Sequence, residues 1–566
     1  MKSLLLIVVC FFSVAAAPTT DIKVDQVGYS PLAPKFAFVV TSQTVNEFFI
    51  RNVDDSSIAF RGVLSSRIKD EDSGDQVEVA DFSSLQKTGK FYLEVPSVGK
   101  SWSFSIGSSV YERPFYLAMR AFYGQRCGTA VDLGSEFPNY KHGACHLAGA
   151  YHTSSGKTGA HVSEKGWHDA GDYGRYIVNS GISTGELLWT WEMFGRRISN
   201  VKLNIPESNN NIPDILDEIR WNLDWMLTMQ DEDGGVWPKQ TTEEFADFVM
   251  PDLDKQVSYV IGTGQEPYKS SAATADFAAV MSIAARVYRP FDTGFARRCL
   301  AAAEKAWGWL QKYPNVGFKN PSGVETGEYG DEDYRDEILW AAAELGRTTK
   351  KSDYERYFLA NYSDQMQFLS IGPPSWQSVG ALALWTYVMG DNSNQQVANS
   401  IREASLKAAD QIVERTNGNG YRISLTTRDF IWGSNGMAAN YGVQLLVANW
   451  IRPNPRYVQT AAENLHYLLG RNTFSLSFVT QVGDHPFHNP HHAPSLADKS
   501  SEPWPGLLSG GPNRWRQDPA MKKLPPDLPP AKMYLDDWES YASNEIAINW
   551  NAPLVFLLAG LLPEGT

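Results

Sequence analysis

The chain has 566 residues, which is too long for one small core and suits one large domain together with a smaller one. Hydrophobic residues make up 43% of the chain and charged residues 20%, the balance of a globular protein, which excludes extensive disorder. The formal net charge of -14 argues against nucleic acid or an anionic membrane as a partner, since both require basic patches.

The N-terminal stretch MKSLLLIVVCFFSVAAAPTT has the pattern of a secretory signal. Lys2 supplies the positive charge, residues 4–14 form an apolar run too short to span a bilayer, and residues 15–17 offer the small side chains of a cleavage site. We therefore expect residues 1–17 to be removed and the mature protein to be secreted, into an extracellular or periplasmic space. No later segment resembles a transmembrane helix, so we expect no membrane association of the mature form.

Residues 18–108 are predicted to form a small β-sandwich. Short runs rich in β-branched and aromatic residues, such as FAFVV, NEFFIRNV, FYLEV and SWSFSI, alternate with turn sequences such as DDSS, DEDSGD and SVGK. Several short strands at close spacing favour a sandwich. This region has no cluster of catalytic residue types.

From residue 109 to residue 566 the hydrophobic pattern is helical. One example is NIPDILDEIRWNLDWMLTMQ, in which apolar residues form a single stripe: Ile212, Ile215, Leu216, Ile219, Leu223 and Leu227. About a dozen such segments, with few strands between them, predict a closed helical barrel or a layered helical domain. The loops are long and rich in Gly, Trp, His and Asp, notably residues 470–541, and long loops in compact domains usually carry function.

The stretch GWHDAGDYGRY places Asp169 and Asp172 three residues apart, directly after His168. One interpretation is helix capping, because acids near a helix start are favoured by unpaired N–H groups and the macrodipole. The other is a pair of carboxylates that holds a water molecule and takes its proton.

Water attack at an acetal carbon also needs a proton donor on the far side of the bond, typically a Glu kept protonated by an apolar setting. Glu545 fits this need, because it precedes an almost wholly apolar helix and is flanked by Trp538, Tyr541 and Trp550. An acid at the N-terminus of a helix is the structural alternative for Glu545.

Several motifs, in the same order along the chain, resemble glycoside hydrolase family 9. WHDAGDYGRY resembles the Asp-Ala-Gly-Asp motif of that family, and residues 534–552 resemble its C-terminal signature. The matching signature positions are Tyr534, Asp536, Tyr541, Glu545, Asn551 and Ala552. IKVDQVGYSP looks like the start of the immunoglobulin-like domain that precedes the barrel in one branch of the family.

The resemblance implies an immunoglobulin-like β-sandwich at 18–108 followed by an (α/α)6-barrel catalytic domain at 109–566. It also implies a cellulase, an endo-β-1,4-glucanase that hydrolyses β-1,4-glucan polysaccharides or oligosaccharides with inversion. Asp172 would be the general base, Asp169 its partner in holding the water, and Glu545 the general acid. An inverting enzyme needs room for water between base and acid, roughly 6.5–9.5 Å. We expect a monomer that needs no organic cofactor.

The chain departs from the family at NPHHAPS, where the usual His-x-Arg pattern ends in Ala493. His491 keeps its expected contact with a glucosyl unit, but the arginine that would bind the sugar is missing. Arg514 or Arg516, in NRWRQDP, are candidate replacements. The lost positive charge keeps an exo-acting β-glucosaminidase on chitosan oligosaccharides as an alternative, and a non-catalytic polysaccharide-binding protein as a third.

Cys127, Cys145, His146 and His168 form a set that suits tetrahedral zinc with no open position, hence a structural site. A Cys127–Cys145 disulfide, which export favours, is the rival interpretation. A catalytic zinc, as in a metallohydrolase, is another alternative. The family resemblance favours structural zinc, because one branch with an immunoglobulin-like domain binds zinc in a similar arrangement. Cys299, in an Ala-rich helical segment, is expected to be a buried thiol.

Two further groups of candidate residues remain. Oxygen-rich loops before helices can hold calcium, and the Asp-Glu pair of the acidic group resembles a calcium position of the family. That group comprises Asp331, Asp333, Asp336 and Glu337, and charge complementation at a helix start is its alternative. The candidates for contact with sugar rings are His491, Tyr329, Trp550, Tyr541 and Trp237, together with Trp538.

Overall fold

The computed structural model describes residues 17–391 and 394–564. The predicted signal segment therefore lies outside the described residues, apart from its last residue. None of the described helices is both long enough and apolar enough to cross a membrane.

The N-terminal part is a two-sheet sandwich. One sheet has the strand order β1-β3-β7-β6, and the other has the order β2-β10-β8-β4-β5 with β9 paired to β8. All of these strands pair antiparallel except β10 with β2. The strands are β1 Ile22–Lys23, β2 Gly28–Tyr29, β3 Phe36–Val40, β4 Glu47–Asn52, β5 Ile58–Val63, β6 Ile68–Lys69, β7 Gln76–Asp81, β8 Gly89–Val95, β9 Gly99–Lys100 and β10 Phe104–Ile106.

Strand β3 shows how the sandwich joins the rest of the chain. Successive side chains of a strand face opposite sides, so Ala37 and Val39 enter the sandwich core. Phe38 faces the helical part instead and is fully buried there. Its ring meets Tyr421 edge to face at 5.7 Å, and Arg471 lies 4.7 Å above it.

The remaining chain is helical, with short strands between the first helices. The helices are α1 Glu112–Gly124, α2 Ile177–Ile198, α3 Asp214–Thr228, α4 Ser271–Val287, α5 Thr293–Leu310, α6 Arg335–Thr349, α7 Ser352–Asn361, α8 Gly380–Met389, α9 Gln395–Gly418, α10 Ser434–Ile451, α11 Pro455–Leu468, α12 Ala493–Ala497, α13 Tyr541–Asn544 and α14 Ile548–Leu561. The strands are β11 Val131–Asp132, β12 Lys141–His142, β13 Gly149–Tyr151, β14 Arg175–Tyr176, β15 Lys239–Thr241 and β16 Ser258–Ile261.

The long helices form a double ring. The inner ring contains α2, α4, α6, α8, α10 and α14, in which α14 packs on α2 and α10, α2 on α4, α4 on α6 and α6 on α8. Each inner helix also contacts an outer one, namely α3, α5, α7, α9, α11 or α1. The inner helices are apolar on most sides, as in GALALWTYVM of α8, whereas α3 buries mainly the predicted stripe. The predicted sandwich followed by an (α/α)6 barrel is confirmed.

Candidate active site and metal centre

In the turn that carries Asp169 and Asp172, the backbone carbonyl groups accept hydrogen bonds from several distant segments. The carbonyl of Asp169 accepts from Ile548 N at 2.9 Å, and that of Gly171 accepts from Ala493 N at 3.0 Å. The carbonyls of residues 168 and 170 accept from the side chain of Gln125. A side chain at Gly171 would collide with the carbonyl oxygen of His491, so the close approach of these two segments requires glycine.

The helix-capping interpretation of the two aspartates is corrected by the structure. Helix α2 begins only at Ile177, and its N-cap residue, Tyr176, makes no side-chain cap. The aspartates bind other groups. Asp172 Oδ2 accepts hydrogen bonds from the Gly174 amide at 3.0 Å and from the Tyr176 hydroxyl at 3.2 Å.

Asp169 is 1% exposed and has a donor on each oxygen. Asn179 Nδ2 donates to Oδ1 at 2.6 Å, and the Tyr329 hydroxyl donates to Oδ2 at 2.5 Å. Tyr329 has a φ of 46°, in the left-handed region, which costs a non-glycine residue about 1–3 kcal/mol. The structure therefore gives Tyr329 a role as a hydrogen-bond donor to Asp169, beyond the sugar contact predicted for it.

Glu545 lies beside this turn. It is half-buried and extended, between the short helix α13 and α14. Its backbone pairs with His491, and its carbonyl accepts from the Gly510 amide at 2.7 Å. The Gly171 amide, which lies between the two aspartates in sequence, hydrogen-bonds its carboxyl group, as does the indole of Trp432. The three carboxyl groups predicted from the sequence therefore meet around Gly171.

Burial, together with neighbouring charges and hydrogen bonds, shifts the titration of these three carboxyl groups. Burial, and then the charges of Asp172 and Asp169, raise the pKa of Glu545 well above its usual range. Burial and Asp172 raise the pKa of Asp169 to about 8. Burial also raises the pKa of Asp172, but Gly174, Tyr176 and Lys239 oppose that shift. Glu545 therefore keeps its proton near neutrality, and Asp172 is the carboxyl group that the surroundings best support as an anion.

The segment after residue 490 packs against the turn. His491 Nδ1 lies 2.6 Å from the carbonyl oxygen of Trp538, which fixes Nδ1 as the donor and leaves Nε2 for another partner. His492 is buried, and its Nε2 lies 3.0 Å from Gln125 Oε1, so it supports the turn from behind. Burial lowers the pKa of His492 to about 3, which leaves it neutral.

The two candidate replacement arginines differ in their surroundings. Arg516 donates to the carbonyl of Leu524 at 2.9 Å. The guanidinium of Arg514 lies 4.4 Å above the ring of Trp515, and its Nε has no acceptor among the described residues. The backbone that leads into Arg514 lies close to the site, because residues 510 and 511 donate hydrogen bonds to the carbonyls of residues 545 and 543.

Aromatic side chains line the approach to these carboxyl groups. Tyr541 contacts Trp432 at 5.6 Å and His491 at 5.8 Å between ring centroids. Phe248 meets His491 at 5.0 Å and Trp538 at 5.4 Å, and both Phe248 and Trp538 are exposed.

Two of the predicted sugar-contacting tryptophans lie differently. Trp237 is 1% exposed and donates to the Ser155 carbonyl at 3.1 Å, so the structure corrects its predicted sugar contact to a core position. Trp550 is half-buried, and side chains at Gly433, Gly436 and Gly510 would collide with or crowd its ring. Its ring packs against the backbone at these three glycines, and its contact with sugar stays a prediction.

The predicted zinc ligands converge. The ligand atoms of Cys127, Cys145, His146 and His168 all lie within 4.8 Å of one another, and the four residues are buried. Backbone pairing of residues 125–127 with 166–168 brings the first and the last ligand together.

The set fits a structural zinc ion. Nδ1 of His146 and Nδ1 of His168 are buried with no hydrogen-bond partner among the described residues, and both cysteines are free thiols. Asp254 Oδ2 lies 3.2 Å from His146 Nε2, in the position of a carboxylate that orients a metal-bound histidine. Burial opposes ionisation of Cys127, but Cys145, Arg175 and other neighbours lower its pKa well below the usual range.

The acidic group predicted to bind calcium is only partly assembled. Asp333 is paired with Arg335 at 2.6 Å. Glu337 is fully buried, and neither of its oxygens has a donor among the described residues. Burial and then Asp336 and Asp276 raise its pKa well above the usual range. Such carboxyl groups need protons or a cation, and the oxygen donors suit calcium. Among the described residues, only the cysteine–histidine set brings three or more such ligand atoms this close together.

Four residues of the site were not singled out from the sequence. Tyr176 and Asn179 follow the Asp-Ala-Gly-Asp motif closely, which is a usable signal. Lys239 lies near Asp172, and Trp432 lies near Glu545. Both come from distant parts of the chain, and nothing local in the sequence marks them.

Comparisons with known proteins agree with this geometry. The family model described as glycosyl hydrolase family 9 matches residues 111–558, and the one described as cellulase N-terminal ig-like domain matches residues 17–100. The chain is 39% identical to Endoglucanase D of Acetivibrio thermocellus over 546 residues, which cover 96% of this chain and 83% of that protein.

Another relative and one solved structure are also similar to this chain. A xyloglucan-specific endo-β-1,4-glucanase of Bacteroides ovatus is 36% identical over 592 residues, with 98% of this chain and 96% of that protein covered. The crystal structure of a Zn-binding triple mutant of GH family 9 endoglucanase J30 superimposes with a TM-score of 0.88 at 32% identity, covering 95% of this chain and 100% of that one.

Proposed function

Because the chain belongs to glycosyl hydrolase family 9, we propose that it is an endo-β-1,4-glucanase that hydrolyses its substrate with inversion. The proposal rests on both the family and the site. The similar proteins named above include two endoglucanases that match it over nearly all of its length.

The observation that carries the proposal is the meeting of Asp169, Asp172 and Glu545 around Gly171. In the proposed reaction, a water molecule lies between the two aspartates. Asp172 takes a proton from the water, Asp169 orients it, and the water oxygen attacks the anomeric carbon. Glu545 gives its proton to the departing glycosidic oxygen on the other side. The raised pKa of Glu545 supplies the protonated acid, and Asp172 supplies the anion.

Product stereochemistry tests this mechanism directly. Hydrolysis of cellopentaose followed by proton NMR should show the α-anomer first, since inversion of a β-linkage gives an α-product. A β-anomer as the first product would contradict an inverting base and acid. Loss of viscosity of carboxymethyl-cellulose with few new reducing ends would support internal cleavage, whereas steady release of monomer from cello-oligosaccharides would point to exo action.

A second substrate class is favoured by Ala493. Without the family's arginine at that position, an exo-acting β-glucosaminidase on chitosan oligosaccharides is the alternative, and glucosamine released from chitotetraose would support it. The Bacteroides ovatus relative adds xyloglucan as a decorated glucan to test beside cellulose. A non-catalytic polysaccharide-binding protein is the remaining alternative, and the absence of hydrolysis on all of these substrates would favour it.

The cysteine–histidine set is proposed to hold structural zinc. Cys127, Cys145, His146 and His168 would supply four ligands, a closed set that leaves no position for substrate or water, which argues against a catalytic zinc. A bound zinc ion would tie the segment before the catalytic turn to the turn itself. Calcium is proposed beside Glu337, with a structural role.

The division of the chain is proposed to follow the predicted boundaries. Residues 18–108 form the immunoglobulin-like domain and residues 109–566 the catalytic domain, with residues 1–17 removed on export. The substrate is the expected partner of a secreted monomer, which gel filtration with light scattering would test.

A further inference from the structure

Lys239 occupies a fully buried position behind the catalytic turn. It lies on β15, which pairs with β14, so that Lys239 is opposite Tyr176. Its Nζ donates to Asn320 Oδ1 at 2.7 Å, to Gly327 O at 2.9 Å, and to Thr326 Oγ1 and O at 3.0 and 3.1 Å. The lysine therefore joins the strand beneath the turn to the segment 320–327.

These acceptors specify a charged lysine. The Asn320 amide oxygen and the carbonyls of Thr326 and Gly327 can only accept hydrogen bonds. Three such acceptors need three N–H donors, which an ammonium group has and a neutral amine does not. Burial lowers the pKa of Lys239 to about 7 although Asp172 and Glu328 raise it, and the hydrogen-bond acceptors specify the charged form.

The bonded segment leads directly to one catalytic carboxyl group. Two residues after Gly327, Tyr329 donates to Asp169 from its strained backbone conformation. A side chain at Gly327 would crowd the ring of Tyr176, so the segment lies against that ring. Holding the carbonyls of 326 and 327 fixes the backbone from which Tyr329 reaches the aspartate.

Tyr176 lies between Lys239 and the other catalytic aspartate, Asp172. Nζ of Lys239 lies 5.6 Å from the centroid of that ring, and the hydroxyl of the same ring donates to Asp172. The other titratable groups near Asp172 are Asp169, Glu545, His491, Tyr173 and Tyr176. Neither acid supplies a positive charge, and His491 is largely neutral because burial lowers its pKa. Among the described residues whose charge acts on Asp172, Lys239 is the cation.

We propose that Lys239 is a positioning residue for the aspartate pair: its ammonium group holds the segment that presents Tyr329 to Asp169, and its charge stabilises the ionised form of Asp172. The proposal rests on the proposed role of Asp172 as general base. It assigns to a lysine outside the reacting groups both an orienting and an electrostatic part in the reaction.

The test is the pH profile of kcat and KM on cellopentaose for Lys239→Met. We expect kcat to fall about 10- to 100-fold with KM nearly unchanged, because the aspartates lose their geometry while the sugar contacts stay. Removal of a positive charge makes protonation of Asp172 easier. The acid limb of kcat/KM should therefore move to higher pH, by about one unit.

Matched variants separate this role from general destabilisation. Lys269→Met removes another buried lysine, one that pairs with Asp231 and Asp233 away from the catalytic turn. It should lower the melting temperature and leave the pH profile in place. Lys239→Arg keeps the charge, so its acid limb should stay at the wild-type pH even where kcat falls. Should Lys239→Met not fold, Lys239→Gln carries the same expectation as Lys239→Met.

Two outcomes overturn the inference: an unmoved acid limb in the folded uncharged variant, or an equal shift in Lys239→Arg. The proposed function fails separately, through Asp172→Asn. If Asp172→Asn keeps wild-type turnover, the base assignment is wrong whatever Lys239 does. If Asp172→Asn is inactive and Lys239→Met behaves like the wild type, the role of Lys239 alone is wrong.

Discussion

Substitution of Tyr329 by phenylalanine removes one oxygen atom from the site. The Tyr329 hydroxyl lies 2.5 Å from Oδ2 of Asp169, a carboxyl group that is 1% exposed. Leaving a buried oxygen without its hydrogen-bond partner costs about 1–3 kcal/mol, and solvent cannot easily replace a donor at a buried atom. If that energy is lost in the transition state, kcat should fall roughly 10- to 100-fold.

The assay is steady-state hydrolysis of cellopentaose, with the thermal melt of each variant measured in parallel. Tyr334→Phe is the matched control, because its hydroxyl donates to the Asp331 carbonyl at 2.7 Å and makes no contact with the aspartate pair. Its kcat should stay within about twofold of the wild type. A Tyr329→Phe enzyme that is equally active, with the same melting temperature, would refute the argument that Tyr329 orients Asp169.

Three further predictions concern the acid, the metal and the missing arginine. Glu545→Gln should lower kcat about 10²- to 10⁴-fold and remove the alkaline limb of the rate profile. In the wild type that limb should lie well above the ordinary pKa of a glutamic acid, since burial and two carboxylates raise the pKa of Glu545, and activity falls as pH rises through it. His146→Ala should abolish zinc binding, measured by elemental analysis, and lower the melting temperature by at least about 5 °C, with activity intact while the fold survives. Arg514→Ala should raise KM about tenfold with little effect on kcat, whereas Arg516→Ala should leave KM unchanged.

Each of these predictions has a contrary outcome. Full activity of Glu545→Gln would remove it as the acid. Loss of turnover on chelation in still-folded protein would favour a catalytic metal over a structural one. An unchanged KM in Arg514→Ala would mean that the arginine missing at position 493 has no replacement at 514.

The sequence predicted the architecture because hydrophobic period is a local property. Strand alternation and helical stripes mark both domains, and the inner helices reveal themselves by being apolar on most sides. The helix start that the capping interpretation requires directly after the two aspartates is not found, because GDYGRY continues the turn and enters a short strand that pairs with β15. A strand of two residues leaves no periodic signal.

The residues of the site also differ in whether the local sequence marks them. Asp169, Asp172 and Glu545 lie in motifs with recognisable spacing, so their types and order could be found in the sequence. Trp237 was assigned to sugar contact from residue type alone, and tertiary packing buries it. Lys239 and Trp432 could not be found, since their importance comes from contacts with residues 67 and 113 positions away in sequence. Such contacts exist only once the barrel has closed.

His168 and Asp169 are adjacent in sequence, but their side chains belong to different groups: His168 to the cysteine–histidine set and Asp169 to the three carboxyl groups. Three carboxyl groups in one site repel one another, and water is a poor partner for those that are buried. The backbone of the turn is held in place against this repulsion. All four carbonyls from residue 168 to residue 171 accept hydrogen bonds from side-chain or backbone groups of distant segments. The cysteine–histidine set that includes His168 lies on the N-terminal side of the same turn, and a zinc ion bound there, as proposed, would anchor it from that side. Because these anchors come from the residue that follows α1, from the start of α12 and from the start of α14, loss of any one should loosen the turn without releasing it. Loss of a carboxyl group, in contrast, would remove a step of the proposed reaction that no anchor can restore.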